Sequence, residues 1–139
     1  MVNYEFPPVG GGAANATAFL ARALVAQGHA VTVLTAAFAA QRGAATEAGV
    51  EVVRVRSLRR SADRSNPLEM LSFLVAALVP AVRLARRRRF DASIAFFTIP
   101  CGPISWMLSL ALGIPYLVSL RGGDVPGFLQ SLGRAQAVI

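Results

Sequence analysis

The sequence has no lysine, a single cysteine (Cys101) and a single histidine (His29). One cysteine excludes an intramolecular disulfide and any zinc site built from several cysteines, and one histidine excludes a histidine-rich metal site. Charged residues make up only 15% of the chain and hydrophobic residues 55%, which excludes a disordered chain, because disorder requires low hydrophobicity and high charge. We therefore expect a globular chain of 139 residues to form one domain.

Positive charge is concentrated near the middle of the chain. All 14 basic residues are arginines and 7 residues are acidic, which gives a net charge of +7, and four arginines follow one another at Arg86, Arg87, Arg88 and Arg89. The apolar run before them, Leu71–Val82, is shorter than the roughly 20 residues of a membrane span and contains Pro80. We expect a buried crossover helix whose four arginines contact an anionic membrane surface. A basic end that only complements the helix dipole is the simpler alternative.

Hydrophobic periodicity predicts alternating strands and helices. The predicted strands are 2–4, 30–35, 50–56, 91–97 and 115–120, and the predicted helices are 13–27, 67–86 and 101–112. Residues 36–49 are expected to be a loop with some helix, and a short helix is expected to end near Leu132. The order predicts the α/β class, with a Rossmann-like, doubly wound parallel sheet. Because strand-like patterns are cut short at Met1 and at Ala135–Ile139, we expect a fragment of a longer protein, incomplete at both ends.

Two glycine-rich loops follow predicted strands. The first opens with Glu5 and holds Gly10, Gly11 and Gly12, and the second holds Gly122 and Gly123. Ligands of such sheets bind outside the carboxyl ends of the strands, so both loops are expected to line one crevice. Glycines allow close approach of a ligand, and the helix that follows offers free N–H groups to a phosphate. The spacing is neither GxGxxG nor a P-loop, so the glycines alone equally fit a flexible turn.

Few side chains near the predicted crevice can take part in chemistry. Arg121 can bind a phosphate or carboxylate, while Asp124 can accept hydrogen bonds from a sugar or cap the next helix. Thr98 is the polar side chain that follows the fourth strand, and Cys101 has no neighbouring cation to activate it, so inert packing is expected. His29 precedes its strand and therefore belongs to the opposite edge, which excludes a Ser-His-Asp set at the crevice.

These residues, in this order, resemble a known family. The stretches Tyr4–Gly12, Gly28–Thr35 and Leu120–Gly127, together with Phe90-Asp91 and Gly113–Tyr116, are similar to the amino-terminal domain of retaining glycosyltransferases of family four, which have the GT-B fold. The resemblance covers essentially the whole chain. We therefore expect residues 1–139 to form one domain of this family. It implies the acceptor-side half of a two-domain enzyme that moves a sugar from a nucleotide-sugar to an acceptor, without a metal or other cofactor.

The resemblance places Gly10, Gly11 and Gly12 near the donor diphosphate and the acceptor, and Glu5, Thr98, Gly122 and Gly123 are expected to line the cleft. Arg121 and Asp124 are the candidate catalytic residues, as marks of a subgroup with different contacts; the alternative is that acceptor activation relies on other groups. The donor-binding carboxylates belong to a second domain, so this half alone is expected to be inactive. Many members carry a histidine after the fourth strand and another before the later glycine, where this chain has Ala95–Pro100 and Arg121.

Two other functions fit parts of the sequence. A basic Rossmann-like module without catalysis, binding a membrane surface or nucleic acid, fits the net charge of +7. Nucleic acid is not expected as a partner, because no aromatic residues interleave with the arginine run. An NAD or flavin enzyme is disfavoured by the missing GxGxxG and by Thr35-Ala36, where an acidic residue is expected. The preferred interpretation is a cytoplasmic glycosyltransferase domain, peripheral on the inner face of the membrane, with a glycan, lipid or small-molecule acceptor.

Overall fold

A computed structural model of the chain describes residues 1–62 and 64–124. Its helices are α1 (Gly12–Ala26), α2 (Pro67–Arg88) and α3 (Cys101–Leu112), followed by a 3₁₀ turn at Gly122–Asp124. Its strands are β1 (Thr32–Ala36), β2 (Gly43–Glu47), β3 (Val50–Val55), β4 (Ser93–Phe96) and β5 (Tyr116–Ser119). The helix predicted to end near Leu132 and the strand predicted at Ala135–Ile139 lie outside the described residues.

The strands form a mostly parallel sheet that is centred on the amino-terminal segment. β1 pairs in parallel with β3, β4 pairs in parallel with β5, and β2 lies antiparallel on the outer side of β3. Val2 bridges in parallel to both Leu34 of β1 and Ala95 of β4 and so joins the two groups of strands. The spatial order is therefore β2, β3, β1, residues 1–3, β4, β5, which confirms the predicted Rossmann-like parallel sheet.

Helices cover the two faces of the sheet. Side chains alternate along each strand, so Val33 of β1 packs with Ala18 and Ala21 of α1, whereas Leu34 packs with Phe73 of α2 and Ile104 of α3. α1 therefore lies on one face of the sheet, and α2 and α3, which follow β3, lie on the other. This change of face makes the boundary between residues 1–3 and β4 the topological switch point of the sheet. Sheets of this type bind their ligands at such a point.

The helix ends follow local sequence signals. Asn66 accepts a hydrogen bond from the Glu69 backbone N–H at 2.9 Å, and the Glu69 carboxylate accepts one from the Asn66 backbone N–H at 3.4 Å. This capping box, with Pro67 in the first turn, begins α2 as predicted. α3 has the predicted bounds and ends at Gly113, whose left-handed backbone (φ +70°) favours glycine.

Two features of the fold differ from the sequence prediction. Residues 36–49 contain strand β2, although a loop with some helix is expected there, because GAATE becomes a strand by pairing with β3 rather than by its own propensity. β5 is not buried on both faces, since Tyr116 and Leu117 are both exposed at the edge of the described sheet.

α2 is longer than its apolar run suggested. It continues through Pro80 for 22 residues and is, among the described helices, long and apolar enough to cross a membrane by length and composition. Pro80 interrupts the apolar run but not the helix, as the predicted helix over residues 67–86 requires. One face of α2 is nevertheless packed against the sheet and α3 through Phe73, Ala77, Ala81 and Ala85, as expected for a crossover helix.

Candidate functional site

The first glycine loop follows the central segment of the sheet and leads into α1. Gly10 has a left-handed backbone (φ +92°), and a Cβ atom at this position would lie 2.6 Å from Oε2 of Glu5, so both conformation and space require glycine. Gly11 and Gly12 are exposed and have no neighbouring atom where a Cβ would be. No side chain of the described residues caps α1 at Gly11, so the first N–H groups of the helix are available to an anion at this edge.

Beneath this loop lies a buried polar cluster that includes Tyr4, Glu5 and Arg59. Glu5 is 9% exposed, and its Oε1 lies 3.5 Å from Nη2 of Arg59, whose guanidinium carbon lies 5.5 Å from the centre of the Tyr4 ring. Arg59 also donates from Nε to the Ser61 carbonyl at 3.0 Å and from Nη2 to the Ala62 carbonyl at 3.2 Å. These bonds fix the loop after β3 against the loop after residues 1–3.

A second polar contact fixes the path of the chain into the glycine loop. The fully buried Asn3 donates from Nδ2 to Oγ1 of Thr17 at 2.7 Å, and its Oδ1 accepts a hydrogen bond from the Glu5 backbone N–H at 3.1 Å. Thr17 in turn donates to the Ala13 carbonyl at 2.8 Å. α1 and the central segment are therefore held together directly behind the glycine loop.

The loops after β4 and β5 meet through Thr98 and Asp124. The Thr98 backbone N–H donates to Oδ2 of Asp124 at 2.9 Å, so the contact uses the main chain of Thr98 rather than its hydroxyl. Arg121 donates from Nε to the Ser119 hydroxyl at 3.1 Å and lies 5.3 Å from the centre of the Phe96 ring. Gly122 and Gly123 form the 3₁₀ turn between the two candidate residues, which places all four at the carboxyl end of β5.

Burial keeps two groups near this edge protonated. Desolvation, with the negative charge of Glu5, raises the pKa of Tyr4 above its usual range, and the positive charge of Arg59 opposes the rise. Desolvation likewise raises the pKa of the Cys101 thiol, and the nearby charges of Asp124 and Glu5 add to the rise. A hydrogen bond with the Tyr4 backbone opposes the rise in this pKa without cancelling it. The thiol is buried and protonated, which confirms the expected inert packing of Cys101.

The four arginines at the end of α2 do not share one face. Arg86, Arg87 and Arg88 form the exposed last turn of α2, and Arg89 follows in a left-handed conformation. Arg88 pairs with Glu51 of β3 at 2.7 Å and thereby ties the end of α2 to the sheet. Arg86 instead continues the outward face of α2, because it lies seven residues, or two turns, after Val79.

Outside the carboxyl edge, few groups suit catalysis or metal binding. His29 is exposed and lines a groove with Arg89 and Asp91 at the amino-terminal edge, which confirms its predicted position away from the crevice. Across residues 1–62 and 64–124, no three His, Cys, Asp or Glu side chains gather closely enough to hold a metal ion.

The structure brings most of the predicted site residues to one edge of the sheet. Glu5 and Gly10 are in contact, Thr98 joins Asp124, and the two pairs are linked by the Tyr4 and Phe97 rings, whose centres lie 5.1 Å apart. The sequence analysis missed Tyr4 and Arg59. The available signal was the position of Arg59 just after strand β3, at the same carboxyl edge.

Comparison with known proteins found one matching family model. A family model described as "Glycosyl transferase 4-like domain" matches residues 11–139, which is nearly the whole chain. A search of curated proteins and a search of solved structures each found no match.

Proposed function

The chain belongs to the glycosyl transferase 4-like family, and from that premise we propose that it is the acceptor-side domain of a retaining GT-B glycosyltransferase. The enzyme would move a sugar from a nucleotide-sugar to an acceptor. The observation that carries the proposal is the uncapped start of α1 at Gly11 and Gly12, beside the topological switch point of the sheet. An anion-binding helix terminus at a switch point is the arrangement by which α/β folds hold phosphorylated ligands.

The donor diphosphate is proposed to lie at the start of α1. The backbone of Gly11 and Gly12 leaves open space above the loop, and the helix dipole favours negative charge there. Arg121 would supply a fixed positive charge to the same crevice, because its Nε hydrogen bond to Ser119 and its contact with Phe96 hold the side chain in place. Both features stabilise the charge that develops on a leaving diphosphate.

Asp124 has a positioning role in this proposal. Its Oδ2 accepts the Thr98 N–H, which leaves Oδ1 as an acceptor for a sugar hydroxyl. The single histidine of the chain lies at the opposite edge, so we propose that the acceptor hydroxyl passes its proton to the departing diphosphate rather than to a histidine. Such a transfer needs no protein base and no metal ion.

We propose that a second domain binds the rest of the donor. At the described carboxyl edge the carboxylates are Glu5, which is buried against Arg59, and Asp124, which is bonded to the loop after β4. Neither belongs to a free pair that could hold a nucleotide-sugar. The chain alone is therefore proposed to bind ligands without turnover.

Variants of the crevice test these roles in the protein expressed from the complete gene. Arg121→Gln and Asp124→Asn should each lower kcat for sugar transfer by at least about tenfold, the usual effect of removing one stabilising contact to a transition state. His29→Gln is the matched control at the opposite edge and should stay within about twofold of the parent. Parent-like rates in both crevice variants would overturn the assigned roles.

Peripheral membrane binding is proposed as well, from the outward face of α2. Leu68, Leu71, Val75 and Val79 are all more than half exposed, and they form a stripe opposite the face that packs on the sheet. The stripe leads to Arg83 and Arg86, and the acidic residue of α2, Glu69, is buried in the capping box. An apolar stripe with a basic end fits a helix lying in the plane of an anionic membrane, on the cytoplasmic side.

Vesicle binding tests this membrane role. Val75→Gln with Val79→Gln should weaken co-sedimentation with phosphatidylglycerol vesicles by at least about tenfold, because these exposed valine side chains would lose the free energy of burial in the membrane. Phe19→Gln removes an equally exposed apolar side chain from α1, on the other face, and should leave vesicle binding unchanged. Equal binding by all three proteins would exclude α2 as the membrane-contacting surface.

A further inference from the structure

A pocket at the carboxyl edge of β1 and β3 is lined by three arginines. It has a volume of about 250 Å³ and is formed by Arg42, Arg56 and Arg59 with Phe38, Ser57 and neighbouring alanines. None of the described residues that line this arginine pocket is acidic. The pocket adjoins the candidate site, because Arg59 also contacts Glu5 beneath the glycine loop.

Arg59 is a fixed and incompletely satisfied cation. Its side chain is 2% exposed, and Nε and Nη2 are held by the Ser61 and Ala62 carbonyls and by Glu5. Nη1 is buried and has no hydrogen-bond partner among the described residues. Buried polar groups in folded proteins are nearly always paired, so an unpaired guanidinium N–H beside a pocket indicates a missing acceptor.

The other two arginines leave positive charge at the mouth of the pocket. Arg42 and Arg56 are exposed, and neither forms a hydrogen bond or ion pair with another residue in the described part of the chain. Arg54 and Arg88, by contrast, are both paired with glutamates at 2.7 Å. Guanidinium groups match the geometry of phosphate and carboxylate oxygens, to which they donate pairs of parallel hydrogen bonds.

We propose that the arginine pocket binds an anionic group, a phosphate or a carboxylate, of the acceptor. This assignment rests on the proposed function, which gives this domain the acceptor. The pocket would hold the acceptor through its charge while the hydroxyl to be glycosylated reaches the crevice beyond Arg59. The acceptor is thereby narrowed from any glycan, lipid or small molecule to one that carries a negative charge.

Titration of the full chain with inorganic phosphate at constant ionic strength tests the pocket without turnover. The expected result is saturable binding that weakens at least tenfold in Arg42→Gln with Arg56→Gln. Arg83→Gln with Arg86→Gln removes the same charge from α2, outside the pocket, and should change affinity by less than twofold. Equal weakening in both double variants, or no saturable binding by the parent, would overturn the proposal.

Two probes distinguish a soluble acceptor from a lipid one. Glycerol 3-phosphate and phosphatidic acid vesicles present the same phosphomonoester in soluble and membrane-bound form. A tenfold loss for glycerol 3-phosphate in the pocket variant supports a soluble anionic acceptor, and a loss confined to the vesicles supports a lipid one. Unchanged binding in the pocket variant would overturn the pocket alone, because the proposed phosphate site at the start of α1 would remain. The transfer assay decides the proposed function separately.

Discussion

At the residue scale, buried polar contacts rather than apolar packing shape the candidate site. Glu5 contacts Arg59 on one side, and Gly10 passes directly over it on the other. The glycine run and Glu5 could be predicted as part of this edge, because they follow a strand in a recognisable order. Arg59 could not be singled out among the arginines of residues 57–66, since its burial depends on how that loop folds back under Tyr4.

Replacement of Gly10 tests this packing. Gly10→Ala should destabilise the chain by about 1–3 kcal/mol, because the added Cβ meets Oε2 of Glu5 at 2.6 Å and the backbone is left-handed. Gly12→Ala adds the same methyl group in open space at the start of α1, where stability should be unchanged or slightly higher. Urea unfolding of both variants gives the comparison, and equal midpoints would contradict the proposed close approach.

Alkaline pH should weaken the fold through Tyr4 and Cys101. Burial raises the pKa of both groups, so the folded chain keeps protons that an unfolded chain releases above about pH 8.5 for the thiol and about pH 10 for the phenol. The free energy of unfolding should therefore fall as the pH rises from 8 to 11. Tyr4→Phe and Cys101→Ala should each flatten this slope, and an unchanged slope in the double variant would refute the assignment.

At the element scale, local signals set the helices and tertiary contacts set the edge strands. The bounds of α3 follow from its sequence, since Gly113 ends it and the prolines around Cys101 precede its apolar run. β2 could not be predicted, because GAATE lacks β-branched alternation and becomes a strand only beside β3. The exposed apolar stripe of α2 was also missed, because a helix that is apolar on all sides is predicted from sequence to be fully buried.

The capping box of α2 gives a prediction at this scale. Asn66→Ala should lower the free energy of unfolding by about 1 kcal/mol, because it removes the acceptor of the Glu69 backbone N–H. Asn15→Ala is the matched control, since Asn15 is exposed within α1 and alanine is the better helix former there. Thermal unfolding of the two variants checks the difference; a cost as large for Asn15→Ala as for Asn66→Ala would argue against the cap.

At the scale of the whole molecule, two surfaces of different character lie apart. The carboxyl edge of the sheet gathers the glycine loop, the Arg121–Asp124 turn and the arginine pocket, whereas the outer face of α2 presents apolar side chains. A doubly wound sheet separates the two, because its loops meet at one edge while its helices cover the faces. The family match over residues 11–139 agrees with such a sugar-transferring domain.

Sugar transfer by the protein from the complete gene tests the central claim most directly. The assay supplies labelled nucleotide-sugars one at a time with anionic acceptors, and NMR of the product reports the configuration at the anomeric carbon. The account predicts transfer from at least one donor, with the configuration of the donor retained. No transfer from any donor, or a product of inverted configuration, would contradict it.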